Sequence, residues 1–117
     1  MINRLTKKKK TNSVVIIKGG YKLLTEVIGK TAMLEQTAEE CIELAHACLK
    51  LSRHNRGENK VYKSVEDMYA NLCEEMADVY ICIDELIDSD IVSKELVNIE
   101  ISRKKERMKR RLSDKEY

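Results

Sequence analysis

The 117-residue chain has no proline, tryptophan or phenylalanine, and its four glycines stand at positions 19, 20, 29 and 57. From residue 58 onward there is neither glycine nor proline, so nothing that commonly breaks a helix interrupts the second half. Aromatic residues are limited to five tyrosines, too few for a base-stacking platform, so nucleic acid is not the expected partner. Long apolar runs are missing too. The basic run at residues 7–10 is followed only by "SVVII" at 13–17, too short for a secretory signal or a membrane span. Cys41, Cys48, Cys73 and Cys82 form no CxxC pair, which argues against the common zinc and dithiol motifs. All four are expected to be reduced core or near-core thiols of a cytoplasmic protein.

What remains is rich in Glu, Lys, Leu, Ala and Met, the composition of an all-α protein. The length suits one domain with a modest core. The formal net charge is only +2, but it is unevenly spread. Residues 1–30 carry net +7, residues 31–100 net −10 and residues 101–117 net +5. An acidic middle between basic ends suits a cation site near phosphate-binding groups, although most such charges on helices are simply solvated.

Residues 1–20 read as a basic tail or extended arm, with "SVVII" a short strand or arm closed by Gly19 and Gly20. Residues 21–28 read as a short helix ending at Gly29. Over 31–54, Met33, Leu34, Ala38, Cys41, Ile42, Ala45, Cys48 and Leu49 recur at spacings of three and four, the period of a long amphipathic helix. The segment 53–63 breaks it. Ser64 followed by Asp67 resembles a capping box and opens a second long helix over 65–88. The "DSD" turn at 88–90 offers N-cap residues for a third helix over 91–112.

Two stretches stand out on the long helices. "QTAEECIEL" (36–44) places Glu39, Glu40 and Glu43 within one turn, and "NLCEEMADVYI" (71–81) repeats the pattern with Glu74, Glu75 and Asp78. Like charges at helical neighbour spacing repel by a few tenths of a kcal/mol per pair. In an antiparallel hairpin turning near Asn59, Glu40 pairs in height with Asp78, and Glu43 with Glu75, because both pairs have their midpoint at 59. Four opposed carboxylates are repulsive alone. A hard divalent cation with oxygen ligands, Mg²⁺ being the natural choice, would relieve the repulsion. Glu39 and Glu74 are expected to turn toward solvent or a neighbouring helix.

"EECIE" followed by "EEMAD" resembles the E-E-x-x-E … E-x-x-D signature of the MazG-like all-α nucleotide pyrophosphohydrolases, relatives of the dimeric dUTPases. The likeness runs over about residues 21–112, within a helical domain at 21–117. It includes Arg56 and Gly57 in the connecting loop, and a basic final helix with Lys104, Arg107 and Arg111 in a K-x-x-R-x-x-x-R pattern. The resemblance implies Glu40, Glu43, Glu75 and Asp78 as Mg²⁺ ligands and Glu39 and Glu40 as catalytic acids. It implies Gln36, Lys104, Arg107 and Arg111 as substrate-binding residues, with Arg53 and Arg56 also in reach of phosphate. The implied reaction is hydrolysis of a nucleoside triphosphate between the α and β phosphates to a monophosphate and pyrophosphate.

Two rival readings are weaker. Glu43 and His46 match half of a ferritin-like di-metal motif, but Asp78 stands where the second half needs histidine. A non-enzymatic helical module binding nucleotide or nucleic acid is the alternative function. In either case Tyr69, Met76, Tyr80 and Ile83 offer more apolar surface than one short chain buries. A homodimer or homotetramer built as a four-helix bundle is therefore expected.

Overall fold

The computed structural model describes residues 14–17, 20–58 and 64–114. Strand β1 (Val14–Ile17) pairs antiparallel with β2 (Gly20–Leu23), and four helices follow: α1 (Leu24–Ile28), α2 (Lys30–Asn55), α3 (Val65–Asp88) and α4 (Lys94–Ser113). Apart from the small N-terminal hairpin the described chain is helical. The basic start of the chain and the turn expected near Asn59 lie outside the described residues.

The strand expected in "SVVII" is β1, whereas the helix expected over 21–28 is shorter than its sequence suggested. Tyr21 and Lys22 pair with Ile16 and Val15, so their backbone groups serve the ladder and helix begins only at Leu24. Gly29 ends α1 at φ 90° and ψ 162°, a conformation essentially reserved for glycine. Its N–H donates to the Thr25 carbonyl at 2.8 Å, and its own carbonyl accepts from Met33 N–H at 3.0 Å. One glycine thus closes α1 and opens α2.

The 26 residues of α2 and 24 of α3 run without glycine or proline inside them. Ser64 caps α3, its side chain accepting from Asp67 N–H at 3.1 Å, and Glu66 and Asp67 sit favourably at the positive end of the helix dipole. The third long helix starts three residues later than the "DSD" turn suggests. Residues 89–92 complete the end of α3 instead: Ser89 N–H bonds to Glu85 O, and Ile91 and Val92 N–H both bond to Leu86 O. Asp90 takes a left-handed φ of 59°, which lets Ile91 turn back onto the core. Ser93, not the aspartates, then caps α4 by accepting from Leu96 N–H at 3.3 Å.

α2 and α3 pack antiparallel along their length. Met33 meets Cys82 and Leu86 at one end, and Leu51 and Leu72 line a common groove at the other. The inward stripe of α2 is Met33, Gln36, Glu40, Ala47 and Leu51, and that of α3 is Met68, Glu75, Asp78, Cys82 and Glu85. The seam is therefore apolar at both ends and acidic in the middle. This corrects the expected buried set. Leu34, Ile42 and Leu49 are about half exposed, and Cys41, Cys48 and Cys73 are exposed, leaving Cys82 as the one buried thiol. The carboxylate stripe occupies the inner face, so the apolar stripe lies outside it. α4 buries none of its residues. No described helix is long and apolar enough to cross a membrane.

Candidate metal centre

The acidic middle of the seam gathers Glu40 and Glu43 from α2 with Glu75 and Asp78 from α3. Each offers one carboxylate oxygen, and these four oxygens lie within 4.8 Å of one another. Glu40 and Asp78 are fully buried, Glu75 nearly so, and Glu43 is half-buried at the mouth. Spacings of three on each helix put both members of a pair on one face, and the antiparallel register brings the two faces to the same height.

Gln36, one turn before Glu40 and itself 1% exposed, donates from Nε2 to Glu40 Oε1 at 2.7 Å. That contact fixes the carboxylate's orientation. Gln36 Oε1 and Glu40 Oε2 are buried and meet no donor among the described residues, apart from a proton that Glu40 can share with Asp78.

Electrostatics bear heavily on such a site. Two ionised carboxylates within 4.8 Å repel by about 3 kcal/mol or more at an effective dielectric of about 20. The chain answers by holding a proton. Burial first, then the charges of Asp78 and Glu43, push the Glu40 carboxyl up to about 8 from its ordinary 4.5. Cys82, beside the cluster, is pushed up to about 12 mainly by burial, with a Thr37 hydrogen bond acting the other way. It is thus a neutral thiol at neutral pH, neither a thiolate ligand nor a nucleophile. An oxygen-only, anionic donor set without imidazole or thiolate fits a hard divalent cation such as Mg²⁺.

Other residues singled out in the sequence lie elsewhere. Glu39 and Glu74 are exposed on the outer flanks of their helices, as expected, and His46 is exposed. No histidine joins the carboxylate group, so the half di-metal motif gains no partner. Arg56 is engaged at the end of α2 with Glu58 at 2.9 Å and Ser52 Oγ at 3.2 Å. Lys104, Arg107 and Arg111 are exposed on α4, which does not pack along the hairpin. Within one chain they are not gathered around the carboxylates.

One buried acid escaped the sequence reading. Glu85 is fully buried and its Oε1 accepts the Thr25 backbone N–H at 2.6 Å. Leu23, at the N-cap of α1, has no side-chain acceptor to offer, and Glu85 supplies one from across the fold. The signal was present: 75, 78, 82 and 85 continue a single inward stripe at spacings of three and four.

No protein-family model, curated protein or solved structure matches the chain.

Proposed function

We propose that the protein is a Mg²⁺-dependent nucleoside triphosphate pyrophosphohydrolase, releasing a nucleoside monophosphate and pyrophosphate. The observation that carries this reading is the buried group of four carboxylates with no other ligand type. Its support from sequence is the resemblance of the two acidic boxes and the basic last helix to the MazG-like enzymes.

In this reading Glu40, Glu43, Glu75 and Asp78 hold the cation, which when bound supplies positive charge against the carboxylates and the phosphate oxygens and binds water. Gln36 holds Glu40 in place. Glu40 gives up its proton when the cation site fills. Glu39, exposed on the outer flank of α2, is an accessory acid, and a carboxylate of the group takes the proton of the attacking water as water adds to the α phosphorus and pyrophosphate departs. Lys104, Arg107 and Arg111 offset the charge of the triphosphate. The exposed apolar faces of α2 and α3 favour assembly as a homodimer or homotetramer.

Purified protein incubated with a panel of ribo- and deoxynucleoside triphosphates, with Mg²⁺ or with EDTA, tests the reaction. Mg²⁺-dependent formation of monophosphate and pyrophosphate in equal amounts is expected. A folded, Mg²⁺-supplied sample that leaves every triphosphate intact would remove the proposal.

A further inference from the structure

The stretches of α2 and α3 that carry the carboxylates hold no Lys or Arg. α3 has eight acidic residues and not one Lys or Arg, and residues 31–49 of α2 also lack both. Among the described residues the densest positive charge is on α4, where residues 103–111 hold seven Lys or Arg and one acid. Yet α4 buries nothing. It also presents an apolar stripe, Ile101, Met108 and Leu112, which is 44, 49 and 62% exposed. Spacings of seven and four keep these three on one face.

A complementary surface lies on the hairpin. Leu44, Met76, Val79, Tyr80 and Ile83 line an apolar groove of about 260 Å³. Its residues 44, 76 and 79 directly follow Glu43, Glu75 and Asp78 in sequence, so the groove flanks the carboxylate group. Met76, Tyr80 and Ile83 are 40, 62 and 42% exposed. They form a second stripe on α3, roughly 130° around the helix from the inward one by the 100° step per residue.

We propose that α4 of a second copy of this chain seats its Ile101–Met108–Leu112 face in this groove and brings Lys104 and Arg111 to the mouth of the carboxylate group. Apolar stripe meets apolar groove, and the positive helix meets the negative one. Lys104 and Arg111, seven residues apart, share one rim of the stripe, and Lys105 and Lys109 share the other. In a two-fold dimer each copy gives one α4 and receives one, so the contact is made twice, a help toward the roughly 800 Å² per partner of a standard interface. The phosphate-binding role of these cations rests on the pyrophosphohydrolase reading; the placement of α4 does not depend on turnover and is tested without it.

Unlabelled and ¹⁵N-labelled full-length protein are mixed, allowed to exchange and treated with a zero-length carbodiimide, which joins lysines to carboxylates in direct contact. Peptides joining Lys104 to Glu43 or Glu75, with one light and one heavy partner, are expected. In parallel, sedimentation compares the wild type with the double variant Ile101→Asp, Met108→Asp. Both positions are exposed in the protomer, so helicity by circular dichroism should persist while the dimer or larger species shifts to monomer. A monomeric wild type, cross-links confined to one chain, or an assembly that survives the double variant would each overturn the proposal. Cross-links between copies from a protein that hydrolyses no nucleotide would uphold the placement of α4 and discard the pyrophosphohydrolase reading alone.

Discussion

Along the seam between α2 and α3, carboxylates and a glutamine fill positions where a helical hairpin of this size ordinarily places leucine or methionine, while α4 leaves isoleucine, methionine and leucine in water. The seam buries carboxylates and crowds one oxygen from each of four within 4.8 Å of one another. The last helix buries none of its residues and leaves Ile101, Met108 and Leu112 exposed among the described residues. Each region makes physical sense as part of something larger: the seam with a cation, α4 with another protein surface. The two ends of the seam, closed by Met33, Cys82 and Leu24 at one side and Ala47, Leu51 and Met68 at the other, supply the apolar burial that holds the charged middle in place.

The sharpest way to break the contrast is at Glu40. Glu40→Gln keeps the shape and the contact with Gln36 but removes a ligand charge. Mg²⁺-dependent pyrophosphate release should fall more than about a hundredfold, while the melting temperature of the metal-free protein holds or rises because a repulsive group is gone. Near-wild-type turnover from a pure sample would refute the site. Second comes the apolar end. Met33 is fully buried, so Met33→Ala should lower unfolding free energy by about 2–4 kcal/mol in urea titrations. Met108→Ala, on the exposed face of α4, should change protomer unfolding by no more than about 0.5 kcal/mol.

The charge in the seam also gives a pH dependence. Between 4.5 and about 8 the folded protein keeps a proton on Glu40 that the unfolded chain has released. Its contribution is thus fully present below the lower value, declines as pH rises and is gone above the upper one. Metal-free protein should therefore lose up to a few kcal/mol of stability between about pH 5 and about pH 8. Mg²⁺ should flatten that slope, because the cation takes the place of the proton. Urea midpoints at several pH values, with EDTA and with Mg²⁺, measure both. A metal-free slope of the opposite sign would show that Glu40 is ionised in the seam. The smallest effect separates the two regions again. Ser64→Ala removes the cap of α3 and should cost about 1 kcal/mol of global stability. Ser93→Ala should appear mainly as faster amide exchange in the first turn of α4.

The long helices were legible in the sequence because nothing breaks them: the expected 65–88 matches α3 residue for residue, and 31–54 differs from α2 by one at each end. The pairing of the acidic boxes was legible through their shared midpoint. The direction each stripe faces was not. Periodicity finds an apolar stripe, and the usual inference places it inward, but in this hairpin the stripe of Met33, Gln36, Glu40 and Ala47 won the seam. Glu85 was hidden for the same reason, since an acid among Ile83, Leu86 and Ile87 reads as solvated. The late start of α4 depends on hydrogen bonds back to Leu86 that local caps do not reveal. Strand β2 depends on pairing with β1, a contact no local propensity encodes.

The measurement that bears most directly on the central claim is calorimetric titration of Mg²⁺ and Mn²⁺ into metal-free protein near neutral pH, in buffers of different ionisation enthalpy, for the wild type and Glu40→Gln. Saturable binding with proton release in the wild type, and loss of that release in the variant, is the predicted result, since the cation must displace the Glu40 proton. A folded wild type that takes up neither ion, or takes one up identically with glutamine at position 40, would contradict the assignment of the seam as a metal centre.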